Sequence, residues 1–349
     1  MSACVSVHQA NRDTTNVKTL ALDIGGANIK VAHSAGGAWS VPFELWKQPT
    51  VLSDRLIGLV EHVPAFDRLA VTLTAELCDC FATKREGVAH VLEAAAAVAG
   101  ERSIHVWLTE GRFGNEREAR ARPLLCAAAN WHALATFVAR THDRGTSLLI
   151  DTGSTTTDII RLCDGRVAAR GLTDTQRLAA GELVYLGATR TPLMALGPAI
   201  LFDGREVHVM AEHFATTADI FLLTGALAEQ PGCTDTADGR PLTAQHAAAR
   251  VVRMIGADLE MLGQRDAVRL AEAFVCNVRS HLVDAIHQVL GAEVPERVVV
   301  CGRGVALAAE AAETVLAGVP VIDLAHMIGA EASASACAYA LVKLLNHVE

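Results

Sequence analysis

The stretch "ALDIGGANIKVA", residues 21–32, decides the fold. Apolar Leu20, Ala21 and Leu22 lead to an acid, Asp23. Gly25 and Gly26 follow, and the chain returns through Ile29, Lys30, Val31 and Ala32. That order reads as strand, tight turn, strand. It sets a carboxylate at the lip of a buried strand, beside backbone N–H groups that no side chain shields. A second stretch, "TSLLIDTGSTTTDIIRLCDGRVAARG" at 146–171, repeats the layout. Asp151-Thr152-Gly153-Ser154 echoes Asp23-Ile24-Gly25-Gly26 at a distance of 128 residues. So long a period indicates duplication of a whole domain, not a short repeat array. A third apolar strand runs into glycine at "ERVVVCGRGVALA", 296–308.

The chain has 349 residues, which suggests two domains. Apolar residues make up 51% and charged residues 20%, enough for large cores, and aromatics are only 4%. Small aliphatic side chains suit helices packed closely on sheets. The net charge is −9, with no basic run and no zinc-finger spacing, so no nucleic-acid partner is expected. The apolar stretches are too short and too broken to span a bilayer. Residues 1–16 lack the apolar core of a secretion signal, so they read as a loose tail on a cytoplasmic protein. Nine scattered cysteines argue against a disulfide framework. Cys78 and Cys80 form a C-x-C pair, read either as small buried hydrophobes or as metal ligands.

The expected architecture is α/β: two similar domains, each a mixed five-stranded sheet flanked by helices, with a cleft between them. The first domain covers 17–145 and the second 146–330. A closing helix, "EASASACAYALVKLLNHV", returns over 331–349 to the first. "REGVAHVLEAAAAVAG", 85–100, reads as a helix ended by glycine.

Glycine turns at strand ends cradle phosphate oxygens, and a carboxylate beside phosphate requires a cation between them. The expectation is that Asp23 and Asp151 face each other across the cleft over Mg²⁺ and a polyphosphate. Gly25, Gly26, Asn28, Gly153, Ser154 and Thr155 are then its phosphate contacts. Thr155, Thr156 and Thr157, before Asp158, are either hydroxyl donors or plain β-branched strand residues. Glu76, after "LAVTLTA", falls at a strand end and is the proposed base, with Asp79 its rival. Lys30 is read as a paired or substrate-facing ammonium or as a solvated strand residue, and Arg190 as an anion fork or a surface arginine. His213, Thr216 and Asp219 either touch substrate or cap a helix.

"LDIGGANIKVA", "LIDTGSTTTDII" and "VVVCGRGVALA" resemble the two phosphate motifs and the adenosine motif of the actin, sugar-kinase and heat-shock-chaperone superfamily. The second is most similar to the hydantoinase and oxoprolinase branch. "VTLTAELCDCF", "GELVYLGATRTPL" and "AEHFATTADIFLLTG" resemble the family that forms the aryl ether of methanofuran. The resemblance implies two actin-like (ribonuclease H-like) domains and a transferase for small-molecule substrates. It implies coupling of an aminomethyl-furan-methyl diphosphate to the phenol of tyramine or γ-glutamyltyramine, with loss of pyrophosphate. Mg²⁺ is the implied cofactor. Gly302 and Arg303, expected substrate contacts, stand where the superfamily often has a plain glycine run, and the expectation is that Arg303 fills a pocket that adenine would need. The alternatives are an ATP-dependent small-molecule kinase or hydantoinase-like ATPase, and an actin-like assembly protein that uses nucleotide to switch domain angle; ATP enters only under these alternatives. A homodimer is compatible with all of these.

Overall fold

A computed structural model describes residues 17–347, so the expected tail at 1–16 lies outside the described residues. The chain divides into two compact units. One holds the described residues up to Ala133 together with those from Cys337 onward; the other is Leu134–Ala336. The first division falls inside a helix, where the sequence offers no turn signal to mark it.

The first unit contains β1 (Thr19–Gly25), β2 (Asn28–His33), β3 (Ala38–Pro42), α1 (Leu52–Val60), β4 (Arg68–Thr74), α2 (Lys84–Ala99), β5 (Ser103–Leu108), β6 (Arg112–Asn115) and α3 (Glu116–Ala121). The helix α4 (Asn130–Thr141) crosses into the second unit. The sheet runs β3-β2-β1-β4-β5-β6. β1 pairs antiparallel with β2 and parallel with β4. Strand alternation sorts its two faces. Leu20, Leu22, Ile24, Ile29, Val31, Leu69, Val71 and Leu73 form the core with α1 and α2. On the opposite face, Ala21 pairs with Ala32 and Ala70, and Asp23 pairs with Lys30 and Thr72.

The second unit contains β7 (Thr146–Thr152), β8 (Thr157–Cys163), β9 (Arg166–Val167), α5 (Asp174–Ala180), β10 (Leu183–Val184), β11 (Ala199–Phe202), β12 (Arg205–His208), α6 (Thr217–Leu223), α7 (Ala244–Arg253), α8 (Gln264–Leu290), β13 (Arg297–Cys301), α9 (Val305–Val315), β14 (Val321–Asp323), α10 (Leu324–Ile328) and α11 (Ala330–Ala334). Its main sheet runs β10-β8-β7-β13-β14, with β9 also on β8. The scheme of the first sheet recurs: an antiparallel β7–β8 pair, then parallel β13 and β14. Leu270, Phe274, Val278, Leu282, Ile286 and Val289 form one stripe of α8 in the core with Leu148, Ile150 and Val300. The last helix, α12 (Ala336–Asn346), lies in the first unit from Cys337 on. There the buried Arg68 donates to Thr19 Oγ1 at 2.9 Å and to Asn346 Oδ1 at 3.0 Å.

Three expectations are corrected. The sheets hold six strands, because β6 adds an antiparallel edge to the first and β9 doubles the edge of the second. The third strand expected at the end of the 146–171 stretch, after the Asp164-Gly165 turn, is only two residues long. The closing helix is broken at Ser335, whose φ of −126° and ψ of 38° leave the helical region. Among the described residues no helix is long and apolar enough to cross a membrane.

Helix α2 starts at the N-cap Thr83, which accepts from Glu86 N at 3.2 Å. Its Gly87 presses on the preceding loop: a Cβ there would lie 2.5 Å from the Glu76 carbonyl oxygen. Gly87→Ala is therefore expected to destabilise the protein by about 1–3 kcal/mol in chemical denaturation. Helix propensity alone predicts the opposite sign, a gain of ~1 kcal/mol, so a more stable variant would refute the contact.

Candidate active site

The β1–β2 turn and the loop after β4 build the site in the first unit. Asp23 is 2% exposed. Lys30, opposite it on β2, places Nζ 3.3 Å from Asp23 Oδ2. Asp23 Oδ1 has no hydrogen-bond partner among the described residues. Gly25 and Asn28 flank the turn, and Cys78 Sγ sits 2.7 Å from where a Gly26 side chain would begin. The loop that carries Glu76 therefore lies against the turn that follows Asp23. Glu76 is 1% exposed, and the Lys84 ammonium lies 3.7 Å from its Oε1. Asp79 is exposed. Cys126 lies close enough to feel Glu76: burial first, then that carboxylate, pushes its thiol up to about 12.

Lys84 was not foreseen from the sequence. It is the first residue of α2, at the positive end of the helix dipole, where a cation is disfavoured. That misplacement is the signal that could have found it. The cation is kept there because a buried carboxylate needs a counter-charge.

The site in the second unit gathers three segments. Gly153 N donates to Thr156 O at 2.8 Å and closes the turn after β7. The 187–190 strap lies on that turn: Ala188 N bonds Gly153 O at 2.9 Å, and Thr189 N and Arg190 N bond Ser154 O at 3.1 and 3.0 Å. Gly187 allows this approach, since a Cβ there would meet Thr155 N at 2.5 Å. Arg190 is thus half-buried beside Ser154 and Thr155. The turn after β13 closes the group, with Gly304 N bonded to Thr152 O at 2.9 Å. Gly302, at φ +87°, lies so close that a Cβ would sit 2.4 Å from Asp151 Oδ1. Arg303 is exposed.

Asp151 and Asp158 are paired residues on β7 and β8. Two carboxylates so placed repel. Arg177, buried under α5, answers Asp158 with Nη2 at 2.6 Å. Thr157 is buried and donates to Leu186 O at 2.7 Å, a structural use of its hydroxyl. Thr216 and Asp219 take the capping role: Asp219 Oδ2 accepts from Thr216 N at 2.9 Å. Asp219 Oδ1 also accepts from Arg250 Nε and Nη2 at 2.9 and 2.7 Å. Burial pushes the Asp219 carboxyl up, against the pull of Arg250. His213 is exposed.

Among the described residues no three His, Cys, Asp or Glu side chains gather into a metal cage. The donors on offer are single carboxylates with glycine turns beside them. That set suits Mg²⁺, which takes one or two carboxylates and fills its shell with waters and phosphate oxygens. The buried, unpartnered Asp23 Oδ1 fits such a role.

The hydantoinase/oxoprolinase family model matches residues 67–346. A protein of Methanocaldococcus jannaschii, (4-{4-[2-(gamma-L-glutamylamino)ethyl]phenoxymethyl}furan-2-yl)methanamine synthase, is 32% identical over 95% of this chain and 98% of its own. The protein of that name from Methanococcus vannielii is 29% identical over 39% of this chain, and the match spans 61% of that relative. The nucleotide-free structure of acetone carboxylase superposes with a TM-score of 0.51 at 10% identity, over 94% of this chain and 70% of its own. This last likeness concerns the fold alone, an α/β architecture with two mixed sheets. By its family match and its near full-length relative, the chain belongs to the hydantoinase/oxoprolinase family, in the branch of the methanofuran aryl-ether synthases.

Proposed function

We propose that this protein is a transferase that forms the aryl ether of a methanofuran-type cofactor. One observation carries the reading: 32% identity to the Methanocaldococcus jannaschii synthase across 95% of the chain. The name of that relative's product describes a phenoxymethyl bridge. It joins a glutamylated 4-(2-aminoethyl)phenyl group to a furan that bears an aminomethyl arm. Making that bridge requires a phenol oxygen and an activated furan-methyl carbon.

Diphosphate is the leaving group in this reading. The phenol O–H bond breaks and its proton passes to a base. The oxygen's electron pair forms the new bond to the methylene carbon. The carbon–oxygen bond to diphosphate breaks, and its electrons leave with the diphosphate. No ATP enters the balance. A free phenol has a pKa near 10, so general-base help matters at neutral pH.

Glu76 is the base in this assignment. It is buried at the end of β4, held in place by the contact of its backbone with Gly87, and counter-charged by Lys84. Asp79, exposed to solvent, lacks that setting. The turns at Gly25-Gly26 and Gly153-Ser154-Thr155, with Arg190, bind diphosphate oxygens. Asp23 and Asp151 hold Mg²⁺, which when bound neutralises the negative charge growing on the diphosphate. His213 and Arg303, both exposed, and Gly302, packed on Asp151, are assigned to substrate contact. The substrates are small molecules, and the compartment we assign is the cytoplasm.

Incubation with Mg²⁺, the furan-methyl diphosphate and γ-glutamyltyramine is expected to give the coupled ether and one pyrophosphate per ether, without nucleotide. An ether yield that depends on ATP, with ADP formed, would move the assignment to the kinase alternative. Glu76→Gln is expected to lower kcat by about 10²–10⁴ and to remove the acidic limb of the pH–kcat profile. Asp79→Asn is expected to stay within about twofold of the parent in the same kinetic assay; a reversed order would make Asp79 the base.

A further inference from the structure

We propose that Asp23 and Thr72 together hold one hydrated divalent cation in the first unit, accepted as its diphosphate complex, with Thr72 fixing a water of the shell. The proposal rests on the magnesium and diphosphate reading above and adds a residue to it. Asp23 and Thr72 are register partners on the parallel strands β1 and β4, so their side chains leave the same face of the sheet. Thr72 is fully buried, and its Oγ1 has no hydrogen-bond partner among the described residues. The same is true of Asp23 Oδ1. An acceptor and a donor, both buried and side by side, leave each other unbonded. Buried polar atoms in native proteins are almost always satisfied, so these two belong to a group that bridges them.

The chemistry of the bridging group follows from the neighbours. Lys30 already occupies Asp23 Oδ2 at 3.3 Å, so the pair carries no net charge toward a ligand. A bare cation gains little from such a pair. A cation that brings its own diphosphate supplies the missing negative charge, meets Oδ1 through the metal or its water, and sets a phosphate oxygen within reach of the Lys30 ammonium. The hydroxyl of Thr72 then orients a water, which a neutral donor–acceptor does well. One register step along the strands the same face carries Ala21, Ala32 and Ala70, so Lys30 is the long side chain of β1, β2 and β4 that stands beside the pair. The Lys30 side chain is 32% exposed, which leaves the pair a route to solvent.

The test is calorimetric titration of the full-length protein with magnesium pyrophosphate, without the furan substrate. Thr72→Val, which removes the hydroxyl and keeps the shape, is expected to weaken binding about tenfold. Thr72→Ser keeps a hydroxyl and is expected to bind within about twofold of the parent. Asp23→Asn is expected to abolish detectable binding. Thermal melts of each variant separate misfolding from loss of the site. Unchanged binding by Thr72→Val, with Asp23→Asn lost, would overturn this inference and leave the magnesium reading standing. Equal weakening by Thr72→Val and Thr72→Ser would overturn it too, since packing then explains the loss. Full binding by Asp23→Asn would overturn the magnesium assignment itself.

Discussion

A carboxylate buried in a sheet must be answered by a cation, and the first unit is arranged around that requirement. Taking Asp23 out of water costs several kcal/mol unless a partner recovers it. Lys30 recovers part of the cost through one oxygen. The sheet has to let a lysine stand on its face, which is why the residues around the pair are small. Ala21, Ala32 and Ala70 line the same face, and the large aliphatics are all turned to the opposite one. A strand whose two faces differ this sharply has one register that works, because a slip of one residue would drive Asp23 into the aliphatic core.

The second unit repeats the scheme with a different solution. Asp151 again ends the first strand of its sheet, but β8 sets another acid, Asp158, against it where the first unit has Lys30. The counter-charge comes from Arg177, out of α5, and it engages Asp158. Asp151 is left beside the glycine of the turn after β13, and Gly302 and Gly304 keep that approach open because neither carries a Cβ. Duplication preserved the strand order and the acid at the strand end, and the charge partners then diverged. In the first unit the strand-end carboxylate meets an ammonium, and in the second it lies against the glycine turn after β13.

The parts legible in the sequence were those written in local order. Strand, acid and glycine in the first two of three strand-ending turns announced the two sheets, and the 128-residue spacing of the first pair announced the duplication. The edges were harder. β6 is four residues long and half exposed, so its alternation carries little signal. Asp203-Gly204, between β11 and β12, is a hairpin turn whose Asp-Gly signal is legible, although the strands it joins are only four residues long. Partners distant in sequence were not legible at all. Nothing near Asp219 names Arg250, and nothing near Asp158 names Arg177. Thr72 looks like any β-branched strand residue until its neighbour on β1 is known. Lys84 was visible only as a cation at the wrong end of a helix, and that oddity acquires meaning once Glu76 is found buried beneath it.

A site of this kind does not dictate which bond breaks. Glycine turns and a shielded cation stabilise negative charge on phosphate oxygens, whether the phosphoryl group is being transferred or is departing. In a kinase the acceptor attacks phosphorus, and the base must stand near that atom. In an ether synthesis that expels diphosphate the acceptor attacks carbon, and phosphate stays a spectator apart from the electrons it carries away. The same backbone donors serve both, so the fold is a poor guide to the reaction. What separates the two is the placing of the base and the room left for the group bound to the departing phosphate. The machinery that manages charge is common to both chemistries, and selectivity has to come from those two features.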